Sequence, residues 1–185
     1  MRLIKWLQKV KRLDDNQGLS LSELLVSIFI FSILSASLLA VVVVGQRSWS
    51  TNSVKIGMRQ ELRKSMETMI NDLRQAGDDS IADVPADDTW YTSITFQVPQ
   101  TVTGGIITWD SNAIQYTLGG TNGDQLQKIT GGSTQIVSQD IQSLQFRRLS
   151  TAPNILEVAL AAQDTVDLTQ EVLTMDLDFE IELRN

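Results

Sequence analysis

Leu24 to Val44 is a run of 21 residues without a charge, 15 of them Leu, Ile, Val or Phe and the others Ser or Ala. No other segment limits the fold so strongly. As a helix, a run of this length crosses the hydrocarbon core of a bilayer, about 30 Å thick. At roughly −0.3 to −0.6 kcal/mol for each strongly apolar residue, insertion is favoured by several kcal/mol. The competing use, a helix buried in a protein core, needs more surrounding chain than 185 residues supply. Residues 41–44 are four consecutive valines, poor helix formers in water. Lipid offers the backbone no other hydrogen-bond partners, so there the helix wins.

Charge is distributed unevenly about this run. Residues 1–18 carry five Lys/Arg against two Asp, and residues 46–77 carry six against three acids. Residues 78–185 hold only Lys128, Arg147, Arg148 and Arg184 against 16 acids, within an overall net charge of −7. A part this acidic repels nucleic acid, whose binding needs clustered basic residues. Lys9, Lys11 and Arg12 precede the run and Arg47, Lys55 and Arg59 follow it, so a count of flanking positive charges does not set orientation.

His and Cys are both absent, which excludes histidine triads, thiol nucleophiles, zinc fingers and disulfides. No glycine-rich phosphate loop follows a strand, and no paired carboxylates sit in a catalytic frame. The sequence predicts no enzyme, no cofactor and no metal site.

The junction before the apolar run carries the chemistry. It reads Gly18-Leu19-Ser20-Leu21-Ser22-Glu23. A secretory signal places its small-residue cleavage site after the apolar stretch. Here Gly18 comes before it, so a cut there removes the basic leader, keeps the membrane helix and leaves a new α-amino group on Leu19. Glu23 at the hydrocarbon boundary costs free energy, less than the roughly 2.5–3.5 kcal/mol of a charge at the bilayer centre. Either it pairs with the Leu19 ammonium of its own or a packed chain, or it flanks the membrane in the headgroup layer.

A basic leader ending in Gly, followed by an apolar helix with Glu at its fifth residue, resembles the class III signal of type IV prepilins and type II secretion pseudopilins. The resemblance implies cleavage between Gly18 and Leu19 by the membrane-bound prepilin peptidase and N-methylation of Leu19. It implies that Glu23 neutralises the N-terminal ammonium of an adjacent subunit during assembly. Leu19 stands where Phe is commonest and Ser22 where an aliphatic residue is usual; the leader carries Asp14 and Asp15, and Ala40 replaces a frequent helix-bending proline. Implied partners are the peptidase, other major and minor subunits and an inner-membrane assembly platform. The implied location is the inner membrane with the head extracytoplasmic, then a periplasmic pseudopilus or surface pilus.

From Leu21 to about Ala76 only Gly45 and Gly57 weaken a helix, and the resulting rod is about 80 Å long. Met58, Leu62, Met66, Met69, Ile70 and Leu73 recur at helical spacing as a seam for the rest of the chain, with Arg59, Arg63, Lys64, Glu67 and Asp72 elsewhere around the cylinder. In the membrane half, Ser32, Ala36 and Ala40 form a small-residue strip that suits close helix packing. Gly77 is read as the helix C-cap.

Beyond it the pattern turns to short strands: Ile94–Val98 ended by Pro99, Ile106–Trp109 and Ala113–Leu118 as a hairpin across Asp110-Ser111-Asn112, a turn from Gly119 to Asp124 into Leu126–Ile129, then Ile141–Leu149, Ile155–Leu160 and Val172–Leu183. The last alternates Met175, Leu177, Phe179, Ile181 and Leu183 with Asp176, Asp178, Glu180 and Glu182, a half-buried strand with a charged face. Residues 59–77 and the strand order to 149 resemble minor pilins of the PilW type and minor pseudopilin J.

The fold class predicted is α+β: a long, partly transmembrane N-terminal helix packed on an antiparallel β-rich head. The expected segments are 1–18 leader, 19–45 transmembrane half, 46–77 amphipathic half and 78–185 head. The functional reading is a minor pilin or pseudopilin that primes or caps a filament. A membrane-tethered binding module is the alternative, with Asp78, Asp79, Asp83, Asp87 and Asp88 as either a calcium-binding or a solvated acidic loop.

Overall fold

The computed structural model describes residues 20–184. Among these described residues the chain forms an α+β protein with one long helix, α1 (Leu21–Leu73), followed by nine strands. It divides into two compact units at residue 46.

In the first unit the helix carries the apolar run, and protein covers none of its most apolar window. Phe29, Phe31 and Leu38 are 67 %, 70 % and 68 % exposed, values that require lipid or other helices as solvent. Two of the four serines there satisfy themselves locally: Ser32 Oγ donates to Ile28 O at 2.7 Å and Ser37 Oγ to Ile33 O at 2.8 Å. This back-bonding removes the cost of a hydroxyl in hydrocarbon.

The second unit holds the rest of α1 and two main antiparallel sheets. The strands are β1 (Ser93–Phe96), β2 (Pro99–Thr103), β3 (Ile106–Trp109), β4 (Ile114–Gly119), β5 (Gln125–Thr130), β6 (Ser133–Ser138), β7 (Ile141–Leu149), β8 (Ala152–Val166) and β9 (Glu171–Glu182). One sheet runs β1-β4-β5-β6, a second β7-β8-β9, and β2 pairs only with β3. The predicted hairpin across Asp110-Ser111-Asn112 does not form, because β3 pairs back onto β2 and β4 joins β1 and β5. The turn chemistry sits at Gly104-Gly105 instead, with φ of 59° and 84°. Such a pair is a strong hairpin signal because the turn needs two positive φ angles. The strand predicted at Ile155–Leu160 is longer, and β6, entered through Gly131-Gly132, has no counterpart among the predicted strands.

One core joins Met58, Leu62, Met69 and Leu73 of α1 to Ile94, Phe96, Tyr116 and Leu126 of the first sheet and Leu144, Phe146, Leu156 and Val158 of the second. The predicted seam is shifted at its centre. Ser65, fully buried, takes the middle position and Met66 lies only half-buried beside it. Ser65 fits because it is small and its hydroxyl donates to Glu61 O at 2.8 Å.

Asp72 also faces inward, contrary to the predicted polar face. Its Oδ2 accepts from Tyr116 Oη and from Lys128 Nζ, each at 2.5 Å. These charge-assisted bonds bind the helix end to β4 and β5 where Leu73 enters the core. Burial first, then the Asp72 carboxylate, holds the Tyr116 phenol well above its ordinary pKa, so it remains a donor.

The helix stops at Leu73, short of the predicted cap at Gly77. Gly77 is extended, with φ −86° and ψ 157°, so a left-handed cap is not its role. It is needed for space: a Cβ there would lie 2.5 Å from Cη2 of Trp109.

The Lys128 and Asp72 side chains are 22 % and 19 % exposed, whereas Arg63 and Glu67 in the i,i+4 pair are 76 % and 56 % exposed. Asp72→Asn therefore leaves a largely desolvated ammonium without its counter-charge and is expected to cost about 1–3 kcal/mol. Glu67→Ala should change stability by no more than about 0.5 kcal/mol. Thermal unfolding of detergent-solubilised protein checks the contrast; equal midpoints for the two variants would refute the clamp.

Candidate functional site

The first turn of α1 forms a capping box. Ser20 is the N-cap: its Oγ accepts from Glu23 N at 3.3 Å, and Glu23 Oε2 accepts from Ser20 N at 3.0 Å. Two backbone donors that a helix N-terminus leaves without partners are thereby satisfied. Ser22 supports the cap, its Oγ 2.8 Å from Ser20 Oγ. The carboxylate sits at the positive end of the helix dipole, bonded to the N–H of the residue that follows Leu19. The Ser-x-x-Glu spacing before an apolar run is the sequence signal for this box, and it was available at residues 20–23. Glu23 thus has a donor within its own chain, and a carboxylate has acceptor capacity beyond one bond. Gly18 and Leu19, the processing and methylation residues expected from the sequence, lie outside the described residues. Ser32 and Ala36 of the small-residue strip are exposed, and so is Ala40.

The acidic loop after the helix is a bracing element. Arg148, 6 % exposed, is its anchor. Its guanidinium donates to Pro153 O at 2.9 Å and to Val84 O at 3.2 Å, and pairs with Asp78. Burial lowers the Arg148 pKa from its ordinary value, yet a guanidinium remains charged. Asp83 accepts from Thr95 N at 2.6 Å and Thr95 Oγ1 at 2.8 Å. Asp87 accepts from Tyr91 Oη at 2.7 Å and Thr89 N at 3.0 Å. Asp88, at φ 63°, accepts from Ser150 Oγ at 2.7 Å and Ser150 N at 3.0 Å.

Four of the five carboxylates are therefore committed to protein donors. The Tyr91 and Ser150 hydroxyls lead the bonds that hold Asp87 and Asp88 below the ordinary value of 3.8. Their stabilising effect is present above that value and is lost as pH falls through the lower folded pKa values. Sequence spacing could not identify the donors to Asp83 and Asp88, because Thr95 comes from β1 and Ser150 from the β7–β8 turn.

A second acidic group lines a cleft of about 390 Å³ bounded by Asn122, Asp124, Asp140, Gln163 and Asp164. Burial, followed by the like charges of Asp164, Asp124 and Glu61, raises the Asp140 pKa. Among the described residues no group of three or more acidic side chains is arranged to hold a metal ion.

On the outer face of β7-β8-β9, Arg147 lies 4.5 Å over the Trp90 ring and its Nε donates to Glu157 Oε2 at 2.7 Å. Asp176, Asp178, Glu180 and Glu182 stay exposed along β9, while Met175, Leu177 and Phe179 turn toward the core, as the alternation predicts.

Residues 13–39 match the family model of the prokaryotic N-terminal methylation motif. The match spans the leader end, the capping box and most of the apolar run. It supports a type IV pilin-like subunit, with the peptidase processing, membrane anchoring and assembly with other pilin subunits that such a motif implies, and it points to a structural role. No curated protein and no solved structure matches the chain.

Ser20→Ala removes the N-cap acceptor and should destabilise the first turn by about 1 kcal/mol, roughly fivefold faster amide exchange at residues 21–24 in micelles. Ser20→Asp should restore protection. Unchanged exchange in Ser20→Ala would show that the cap does not hold this turn.

Proposed function

We propose that the protein is a minor pilin or pseudopilin, of the PilW or minor pseudopilin J kind, that primes or caps a type IV pilus or type II secretion pseudopilus. The segments 1–18, 19–45, 46–77 and 78–185 act as leader, membrane helix, docking helix and head. Prepilin peptidase cuts between Gly18 and Leu19, and the new α-amino group of Leu19 is methylated. The inner membrane holds the protein until assembly, with its head outside the cytoplasm.

The observation that carries this reading is the position of the Glu23 carboxylate. Its bond to Ser20 N at 3.0 Å holds it beside the chain end that cleavage creates, at the mouth of a helix that no protein covers. In the proposed mechanism the carboxylate offers its remaining acceptor capacity to the Leu19 ammonium of an adjacent subunit. Low dielectric strengthens the pairing as both groups leave water, and it offsets the cost of drawing the ammonium along the apolar helix bundle. The exposed Ser32, Ala36 and Ala40 strip gives neighbouring helices a close approach.

Gly18→Ala is expected to retain the leader, read as the intact N-terminal mass in membrane extracts; normal processing would remove the assigned cleavage site. Glu23→Ala should be processed normally and carry a methylated Leu19, yet be largely missing from sheared filaments. Undiminished incorporation would sink the ammonium pairing, and an intact leader on the unaltered protein would favour the membrane-tethered binding module.

A further inference from the structure

The outer face of β7-β8-β9 is an unpartnered sheet surface with a built-in means of holding cations. It already seats one guanidinium, Arg147, between the Trp90 ring and the Glu157 carboxylate. Across the sheet, Ala159 stands opposite Asp178 and Ala161 opposite Asp176, so two methyl side chains floor a trough beside the β9 carboxylates. The trough opens into a cleft of about 350 Å³ lined by Trp90, Ala159, Asp178 and Glu180. Among the described residues, Asp176, Asp178, Glu180 and Glu182 make no ion pair.

The complement lies on the same chain. Lys55, Arg59 and Arg63 are exposed on α1 and follow one another at four-residue steps. Four residues of helix advance about 6 Å, and two residues of strand about 6.6–6.8 Å. Three cations in a helical row therefore meet Asp176, Asp178 and Glu180 almost in register, with a drift that flexible Lys and Arg stems absorb. Among the described residues only Arg63 of the three has an ion-pair partner, the exposed and hence weak pair with Glu67.

We infer that this trough is a subunit interface, occupied by the Lys55-Arg59-Arg63 row of a second copy of the chain. The inference rests on the subunit reading above and names the contact through which one copy meets the next. The two surfaces are different parts of the molecule, so the contact between two copies is heterologous. Its strength lies in three weak pairs acting together, and salt weakens it.

The absence of cysteine makes the test clean. Two full-length copies, one Arg59→Cys and one Asp178→Cys, are co-expressed with prepilin peptidase, and membranes are oxidised and run on a non-reducing gel. A cross-linked dimer is expected, with little from Arg59→Cys paired with Thr134→Cys on the other sheet. Adding Asp176→Lys and Glu180→Lys to the Asp178→Cys copy should cut the yield about tenfold. Adding Lys55→Glu and Arg63→Glu to the other copy should restore it, a rescue that a misfolded head would not show.

A yield no higher than the control pair, no response to charge reversal, no rescue, or cross-links only to other proteins would overturn the inference. Leader retention on the same gel denies the subunit reading; processed protein without the cross-link denies this contact alone.

Discussion

An apolar helix that its own protein leaves uncovered is the constraint on which the rest of the molecule depends. Residues 24–44 place Leu, Ile, Val and Phe all around the cylinder, and nothing among the described residues buries the most apolar part of them. At roughly 25 cal/mol per Å² of apolar surface, water is an impossible solvent for such a stretch. Lipid is one alternative and a bundle of like helices is the other. A subunit that moves between those two environments needs both to be acceptable, and self-satisfied serines with a small-residue strip suit each.

The same helix changes solvent along its length. Beyond residue 46 its inward residues meet sheet rather than lipid, and Met58, Leu62, Met69 and Leu73 enter one core with both sheets. Hydrophobic burial is non-directional, so it does not by itself fix rotation about the helix axis. Asp72 adds direction by accepting from Tyr116 and Lys128, donors supplied by two adjacent strands. Ser65 adds closeness, since a larger side chain at that position would separate helix from sheet. Gly77 does the same for the ring of Trp109.

The acidic excess of the head serves several local ends. Asp78, through the buried Arg148, Asp83 and Asp88 hold a long connection against β7, β1 and the β7–β8 turn, and Asp87 braces the connection itself through Thr89 and Tyr91. A carboxylate bonded to protein donors has less to offer a cation, which weighs against a calcium-binding loop there. The β9 carboxylates have no such partners among the described residues and face outward. Acidic residues close in sequence thus divide into internal fasteners and exposed surface, a distinction that composition does not express.

Local patterns made much of this protein legible from residues alone. The membrane helix follows from 21 uncharged positions and the face of β9 from strict alternation. Each depends only on neighbours within a few positions, where geometry is set by helix or strand period. Tertiary structure decided the placing of β4 beside β1, the inward turn of Asp72, the burial of Ser65 and the donors for Asp83 and Asp88. Those contacts join residues up to 62 positions apart, as Ser150 and Asp88 are. Period says which face a residue occupies; only the closed fold says what stands opposite.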